Sequence, residues 1–291
     1  MPWNTRAVPV IYVDDAGDQR LRAYQNLKDL QQRTAGCFIA ESELVVIRVL
    51  DSGWDVQSIL LIPSRYARLR DRLDQLPKLD VFVANPAVLD AVVGFPLHRG
   101  VLALVARRSL PTIDRLLQTA RRVVVLENVV DPDNVGSIFR HAAAFGADAI
   151  VLSTHAGDPL YRKAIRTSMS WVLSVPYARV VETDDLVDAL RRNGLTSLAF
   201  TAAGNVSLRE LPVSVREQRV ALIVGAEAPG LRPQTIAQSD FTVRIPIDPG
   251  IDSLNVASAA AIGLYELFGA DPDPRSATRR LSSTRLIDQI T

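Results

Sequence analysis

The sequence predicts an α/β protein in two parts, a small α/β unit followed by a larger one built on a parallel sheet. Three observations carry this. From Arg121 onward, short apolar runs alternate with segments of helical period, as expected for parallel strands covered by helices on both faces. Between Leu21 and Arg108 strand and helix signals recur on a smaller scale. The chain, 291 residues with 48% hydrophobic and 22% charged side chains, has the length of two medium domains and an ordinary globular composition.

Residues 1–20 are polar enough to read as a flexible N-terminal segment. LRAYQNLKDLQQR sets Leu21, Tyr24, Leu27 and Leu30 at helical spacing and opens a first domain, residues 21–108. CFIAESELVVIRVLDSGW reads as a short strand and a helix stopped at Gly53. VQSILLI, LDVFVA and GVLALVAR are strands, PSRYARLRDRLDQL is a helix, and Asn85-Pro86 and Gly94 punctuate the unit. SLPTIDRLLQTA, residues 109–120, reads as a linker with one short helix. The second domain, residues 121–270, begins with the buried strand RRVVVLENV and the helix DNVGSIFRHAAAFGA, ending at Gly146. The strand DAIVLS, a helix through LYRKAIRTSMSWVLS and the strand VPYARVV follow. TDDLVDALRRNG is a helix with Thr183 as its cap. SLAFTA, RVALIVG and FTVRIPI are three more strands, and SLNVASAAAIGLYELFG is the last helix. Residues 271–291 form a polar, proline-broken tail.

Bulk properties remove several function classes. The net charge is +1, so nucleic-acid binding would need a local basic surface. Arg65, Arg68, Arg70 and Arg72 form one candidate, Arg162, Lys163 and Arg166 another; each reads first as a solvated helix face. The single cysteine, Cys37, excludes an intrachain disulfide and fits a reducing, cytoplasmic setting. Cys37, His98, His141 and His155 show no metal-ligand spacing, so no metal is expected. The longest apolar runs are about half of a membrane span, and MPWNTRAVPV lacks the apolar core of a signal peptide. The glycine-rich dinucleotide loop, the phosphate loop with its lysine and the nucleophile elbow of hydrolases are all missing.

Ligands of parallel α/β sheets sit beyond the carboxyl ends of the strands, and three loops there carry unusual residues. In ENVVDPDNVGSIFRHAAAFGA, Asp131, Asp133 and Asn134 can cap a helix whose entry Pro132 fixes. Gly136 opens its first turn to close approach by a ligand or a backbone. Arg140 follows Asn134 by six residues, one to two turns on and roughly on the same side, where it could meet a phosphate or a developing oxyanion. In ALIVGAEAPGLRP the strand ends at Gly225, and Glu227 follows in a loop with Pro229 and Gly230. There it can anchor the loop or accept a hydrogen bond from substrate. In IPIDPGIDSLNVASAAAIGLYEL, Ile245-Pro246 ends a strand, Gly250 allows a turn, and Ser253 and Asn255 begin a helix. That helix carries Ala257, Ala259, Ala260, Ala261 and Gly263 and no charge before Glu266, so it is expected to be buried on nearly all sides, in a core or at a subunit interface. Each loop also has a plain structural reading as cap, turn or core helix. The residues alone lead no further than an α/β ligand-binding enzyme.

Together and in this order, NVGSIFRHAAAFGA, IVGAEAPGL and IPIDPGIDSLNVASAAAIGLYE resemble the SpoU/TrmH class of the SPOUT superfamily, RNA ribose 2′-O-methyltransferases. The resemblance covers Arg121 to Gly269. FIAESELVVIRVLDSG and HRGVLALV resemble, more weakly, the substrate-binding domain often attached to this class, which is similar to the ribosomal protein L30e fold. The resemblance implies a C-terminal trefoil knot, S-adenosyl-L-methionine as cofactor and a homodimer packed through the knots. It implies RNA as substrate, ribosomal RNA ahead of transfer RNA. By motif match, cofactor contacts fall to Gly225, Ile245 and Leu254, with Thr201, Ala202 and Gly204 of FTAAGN nearby. The catalytic arginine matches Arg140, and the other polar site positions match Asn134, Glu227, Ser253 and Asn255.

Three departures stand out. Ala228-Pro229 replaces a glycine after the glutamate and stiffens that loop, His141 replaces a threonine, and Ser170 replaces a glycine. The resemblance implies a general base at Arg140, but a guanidinium is too basic to serve easily as one, and its chemistry suits steadying the ionising ribose oxygen better. His141 points about 100° away from Arg140 on the same helix and is a poor base candidate. Trp171 reads first as a core residue, though it could stack on a base. The alternatives are a transfer-RNA 2′-O-methyltransferase, a base methyltransferase of the same superfamily, and a non-catalytic RNA-binding protein that keeps the fold.

Overall fold

The computed structural model describes residues 9–25, 27, 36–76, 78–180 and 186–269. Leu30, Thr183 and the tail from residue 271 lie outside these, as do residues 1–8. The chain divides into two compact units, residues 1–108 with Leu160–Arg162, and residues 109–159 with 163–291.

In the first unit β1 (Val10–Val13) is followed by a 3-10 turn, Gln19–Tyr24, and then by β2 (Cys37–Glu41), α1 (Glu43–Asp51) and β3 (Val56–Leu61). The unit continues with α2 (Pro63–Leu73), β4 (Asp80–Ala84), α3 (Pro86–Val93) and β5 (Val101–Ala106). The sheet order is β1-β4-β3-β5-β2, parallel from β1 to β3 and antiparallel through β5 to β2. Leu60, Phe82, Leu89 and Leu102 pack its core with Leu21 and Tyr24. Two elements differ from expectation. Val10–Val13 is not loose: it forms an edge strand with Val13 buried and Tyr12 exposed, too short for a clear alternation signal. Asn85 and Gly94 are not bare punctuation. Asn85 accepts from the Val88 N–H at 2.9 Å and Gly94 closes at φ 81°, so they cap the two ends of α3.

The second unit runs α4 (Ile113–Leu117), β6 (Arg122–Glu127), α5 (Pro132–Phe145), β7 (Ala149–Leu152), α6 (Arg162–Thr167, its first residue counted with the first unit), β8 (Tyr177–Arg179) and α7 (Leu186–Arg192). It continues β9 (Thr196–Phe200), β10 (Val206–Ser207), α8 (Val213–Arg216), β11 (Val220–Gly225), α9 (Pro233–Gln238), β12 (Phe241–Arg244) and α10 (Val256–Phe268). Every strand pair is parallel, in the order β10-β12-β9-β11-β6-β7-β8. Val123–Leu126 of β6 are wholly buried, as an apolar run without alternation requires when both faces are covered. Each such side chain contributes about 1.5–3 kcal/mol. Leu117 and Ala120, from the stretch read as a linker, lie in this core.

Two local expectations are corrected and a third is narrowed. The helix expected through residues 160–174 stops at Thr167, because Met169 and Ser170 turn left-handed, at φ 52° and 69°, before a 3-10 turn at Trp171–Leu173. Trp171 is partly exposed rather than core. The last helix packs Gly263 on Phe200 and Leu222 of its own unit, and within the single chain Ile262 and Tyr265 are exposed, so the core alternative does not cover its outer face.

Candidate active site

Parallel pairing sends the carboxyl ends of β6, β9, β11 and β12 to one rim, since these strands are neighbours in the sheet. Gly225 is in register with Glu127, and Val243 with Phe200. The loops after those positions are the three singled out in the sequence, together with residues 201–205.

Three side chains meet there. Asp131 caps α5, accepting from the Asp133 N–H at 2.6 Å and the Asn134 N–H at 3.4 Å, and so fixes the turn that carries Asn134. Asn255 caps α10, its Oδ1 accepting from the Ala257 and Ser258 N–H groups at 3.0 and 3.2 Å. That duty leaves its Nδ2 pointing away from the helix. It donates to Asn134 Oδ1 at 2.9 Å and to Glu227 Oε1 at 3.1 Å. Asn134 Nδ2 then donates to the same Glu227 oxygen at 2.9 Å. A helix cap on one side thus orients two amides and aims both donors at one carboxylate oxygen. Asn134 is 8% exposed, while Glu227 and Asn255 lie open to solvent.

Arg140 stands apart from this triangle. Six residues advance an α-helix by about 600°, which leaves Arg140 about 120° around from Asn134 rather than on its side. Arg140 is exposed and forms no ion pair among the described residues. His141 takes the inner position instead, half-buried with Nδ1 lacking a hydrogen-bond partner, and burial pushes its pKa down. Ser253 is exposed, and the hydrogen bonds of the triangle do not include it.

The residues matched to cofactor contacts lie along the same rim. Thr201 donates its N–H to Val243 O at 3.0 Å, and the Gly204 N–H donates to Thr201 O at 3.0 Å. A Cβ on Gly204 would lie 2.4 Å from the Val243 carbonyl carbon. On Gly225 it would lie 2.4 Å from Gly230 C and Leu231 N. Both glycines therefore let two stretches of backbone touch, and the rim is walled by main chain rather than by long side chains. Ile245 and Leu254 are half-buried on the turn leading into α10. The Ala228–Pro229 peptide is cis.

Gly136 is needed for packing: a Cβ there would sit 2.5 Å from Ala164 O. The α5 start is braced further by Thr167 Oγ1, which donates to Asp133 at 2.9 Å, and by Lys163, which pairs with Asp133 at 2.7 Å. Lys163 holds the Asp133 carboxyl below the usual carboxylate range. Most of the two basic clusters is paired: Arg162 pairs with Glu41, while Arg166 is exposed with no ion pair among the described residues. Lys163 is paired, and on α2 Arg65 and Arg68 pair with Glu43, Arg70 with Asp74 and Arg72 with Asp51.

Sequence reasoning missed one buried group. Glu127, fully buried at the end of β6, accepts from Arg232 and Thr235. Its signal was a carboxylate closing an otherwise unbroken apolar strand, which demands a partner. Among the described residues no group of three or more His, Cys, Asp or Glu side chains is placed to hold a metal ion. No helix among them is long and apolar enough to cross a membrane.

Comparison with known proteins completes the description. Residues 121–265 match the model of the SpoU rRNA Methylase family. The chain is 41% identical over 260 residues to an uncharacterised tRNA/rRNA methyltransferase of Mycobacterium tuberculosis, covering 87% of this chain and 90% of that protein. It is 28% identical over 263 residues to a 23S rRNA guanosine 2′-O-methyltransferase of Bacillus subtilis, RlmP, covering 88% and 99%. Among solved structures, the AdoMet-bound rRNA methyltransferase of Sinorhizobium meliloti superposes with a TM-score of 0.78 at 26% identity, over 89% of this chain and 97% of that one. The three loops at the rim are thus those of a known family, and the chain belongs to the SpoU/TrmH family of RNA methyltransferases.

Proposed function

We propose that this RNA methyltransferase uses S-adenosyl-L-methionine to methylate a ribose 2′-hydroxyl, with ribosomal RNA as its substrate. The observation that carries the proposal is the hydrogen-bonded triangle of Asn134, Glu227 and Asn255, drawn from three separate loops, one of which starts the helix bearing Arg140. The ribose chemistry and the RNA class draw support from RlmP, and the cofactor from the AdoMet-bound structures from Sinorhizobium meliloti and Streptomyces viridochromogenes.

The rim fits such a cofactor. Gly204 and Gly225 clear side chains from the strand ends, and Ile245 and Leu254 add apolar surface with main-chain groups beside it. Thr201, Ala202, Gly204, Gly225, Ile245 and Leu254 would hold it, and when bound it supplies an electrophilic methyl. The protein's own task is placement and charge. A ribose hydroxyl attacks only when held in line, and positioning of this kind can lower a barrier by about 7–11 kcal/mol. Arg140, exposed and not engaged by a carboxylate among the described residues, faces the negative charge growing on the 2′-oxygen and the adjacent phosphate. Asn134 and Glu227 orient the ribose, and Asn255 holds both. Ser253 lies at the mouth.

We further infer that residues 196–269 thread as a trefoil knot, a reading supported by the backbone-to-backbone contacts at Gly204 and Gly225. The exposed Ile262 and Tyr265 of α10, with Phe145 of α5 at 5.9 Å from Tyr265, suit the dimer contact. The first unit serves as an L30e-like RNA-binding domain, and the enzyme works on its RNA in the cytoplasm.

The test is calorimetry with S-adenosylmethionine, then tritium transfer to bulk RNA and mass spectrometry of the nucleosides. The expected product is a 2′-O-methylnucleoside in ribosomal RNA. A methylated base would overturn the ribose assignment, label in transfer RNA would move the substrate, and cofactor binding without transfer would favour a non-catalytic RNA-binding protein.

A further inference from the structure

Glu127 follows four wholly buried residues of β6 and is itself 0% exposed. Both its oxygens are used. Oε2 accepts from the Arg232 N–H at 3.0 Å, and Oε1 accepts from Arg232 Nε at 2.8 Å and Thr235 Oγ1 at 2.6 Å. A carboxylate paired with an arginine in a core strand is a poor choice for stability, since apolar residues of similar volume often serve as well or better. Its position suggests another purpose. The partners lie at the end of the loop that carries Glu227. That loop is closed at its two feet, where Gly225 packs on Gly230 and Leu231 and where Arg232 is tied to Glu127. The next residue after Glu127, Asn128, begins the loop that carries Asn134. It is held left-handed at φ 57°, with its N–H donating to Ser153 Oγ at 2.8 Å. Glu127 therefore stands where one active-site loop begins and a second is fastened.

We propose that Glu127, acting through Arg232 and Thr235, is a positioning residue for methyl transfer: it sets where Glu227 meets the amides of Asn134 and Asn255. This rests on the functional reading above. Glu127 touches neither substrate nor cofactor. Replacing it by glutamine keeps the volume but turns an NH2 group toward a donor on Arg232 or Thr235, so the loop loses its fixed seat.

The experiment uses the full chain with Glu127→Gln and Thr235→Val, each alone and combined with Glu227→Ala, measured by single-turnover and steady-state methyl transfer. Glu127→Gln should lower kcat at least tenfold with the RNA KM within twofold, and Thr235→Val, which removes the hydroxyl bond and leaves those from Arg232, should lower it less. In the Glu227→Ala background both losses should shrink below twofold, because the group being positioned is already gone. Equal losses in both backgrounds would overturn the proposal in favour of a purely structural role. Hydrogen exchange provides a readout independent of turnover: the amides of residues 226–228, 230 and 231 should exchange faster in Glu127→Gln while those of β11 hold. Unchanged exchange in the loop would also overturn it. If Glu127→Gln does not fold, Thr235→Val runs the same cycle. Wild-type protein that transfers no methyl to RNA would sink the functional reading, whereas exchange would still decide whether Glu127 holds the loop.

Discussion

The arginines of α2 and the arginine of α5 carry the same charge on similar helices and are used in opposite ways. Arg65, Arg68, Arg70 and Arg72 share three carboxylates of their own unit, Glu43, Asp74 and Asp51. Arg140 has no ion pair among the described residues, and Glu227 is given to two amides instead. Two serines repeat the contrast. Ser42 is left-handed at φ 94°, and its side chain accepts from the Val45 N–H at 3.5 Å to cap α1. Ser170 is left-handed at φ 69° and fully buried, with its hydroxyl unpartnered. A charge or a positive φ says little by itself; its partners show how the fold uses it, and among the described residues Arg140 and Ser170 lack the local partners that Arg65 and Ser42 have.

The strongest way to break this comparison is Asn134→Asp. The new carboxylate would face Glu227 and lose the donated hydrogen bond, so kcat should fall a hundredfold or more, on the scale of removing a preorganised donor. Steady-state methyl transfer within threefold of wild type would remove the triangle from catalysis. Ser170→Gly sharpens the backbone side. Glycine adopts φ 69° without strain and removes the orphan hydroxyl, so stability should rise by about 0.5–1 kcal/mol. Calorimetry should place the melting of the second unit about 2 °C higher; a lower melting temperature would mean the hydroxyl has a hidden partner.

His141 tests compensation by pH. Burial holds its pKa below the ordinary value, while the unfolded chain takes up the proton near about 6.5. The unfolded state binds more protons below that pH, so stability should decline as pH falls from about 6.5 to the lower folded value, then level off. His141→Gln should melt with a shallower pH dependence between pH 7.5 and 5.5; parallel curves would contradict this. The smallest effect belongs to Arg72→Gln, which breaks an exposed pair with Asp51 and should cost less than about 1 kcal/mol. A larger loss by denaturant melting would show that the α2 pairs are more than a solvated face.

Much of the second unit was legible in the sequence because parallel strands with both faces covered are read as apolar runs. Val123–Leu126 and Val220–Val224 are of this kind. The caps at Asp131 and Asn255 were legible for the same local reason. What escaped depended on distant partners. Glu127 meets Arg232, 105 positions away, and nothing near it in the chain announces the pairing. Arg140 was placed on the side of Asn134 by counting turns loosely; burial separates them. The break at Met169–Ser170 was hidden because neither residue is the glycine that usually marks a left-handed turn. The outer face of α10 could not be read from composition, because Gly263 and the alanines fit a helix packed on one side as well as one packed on all.

The central claim is that the exposed guanidinium of Arg140 on α5, without an ion pair among the described residues, serves chemistry rather than fold, and Arg140→Ala tests it most directly. Binding of S-adenosylmethionine by calorimetry and single-turnover methyl transfer to RNA should be measured on the same preparation. The account predicts cofactor affinity within twofold of wild type and transfer reduced at least a hundredfold; near-normal transfer would contradict it.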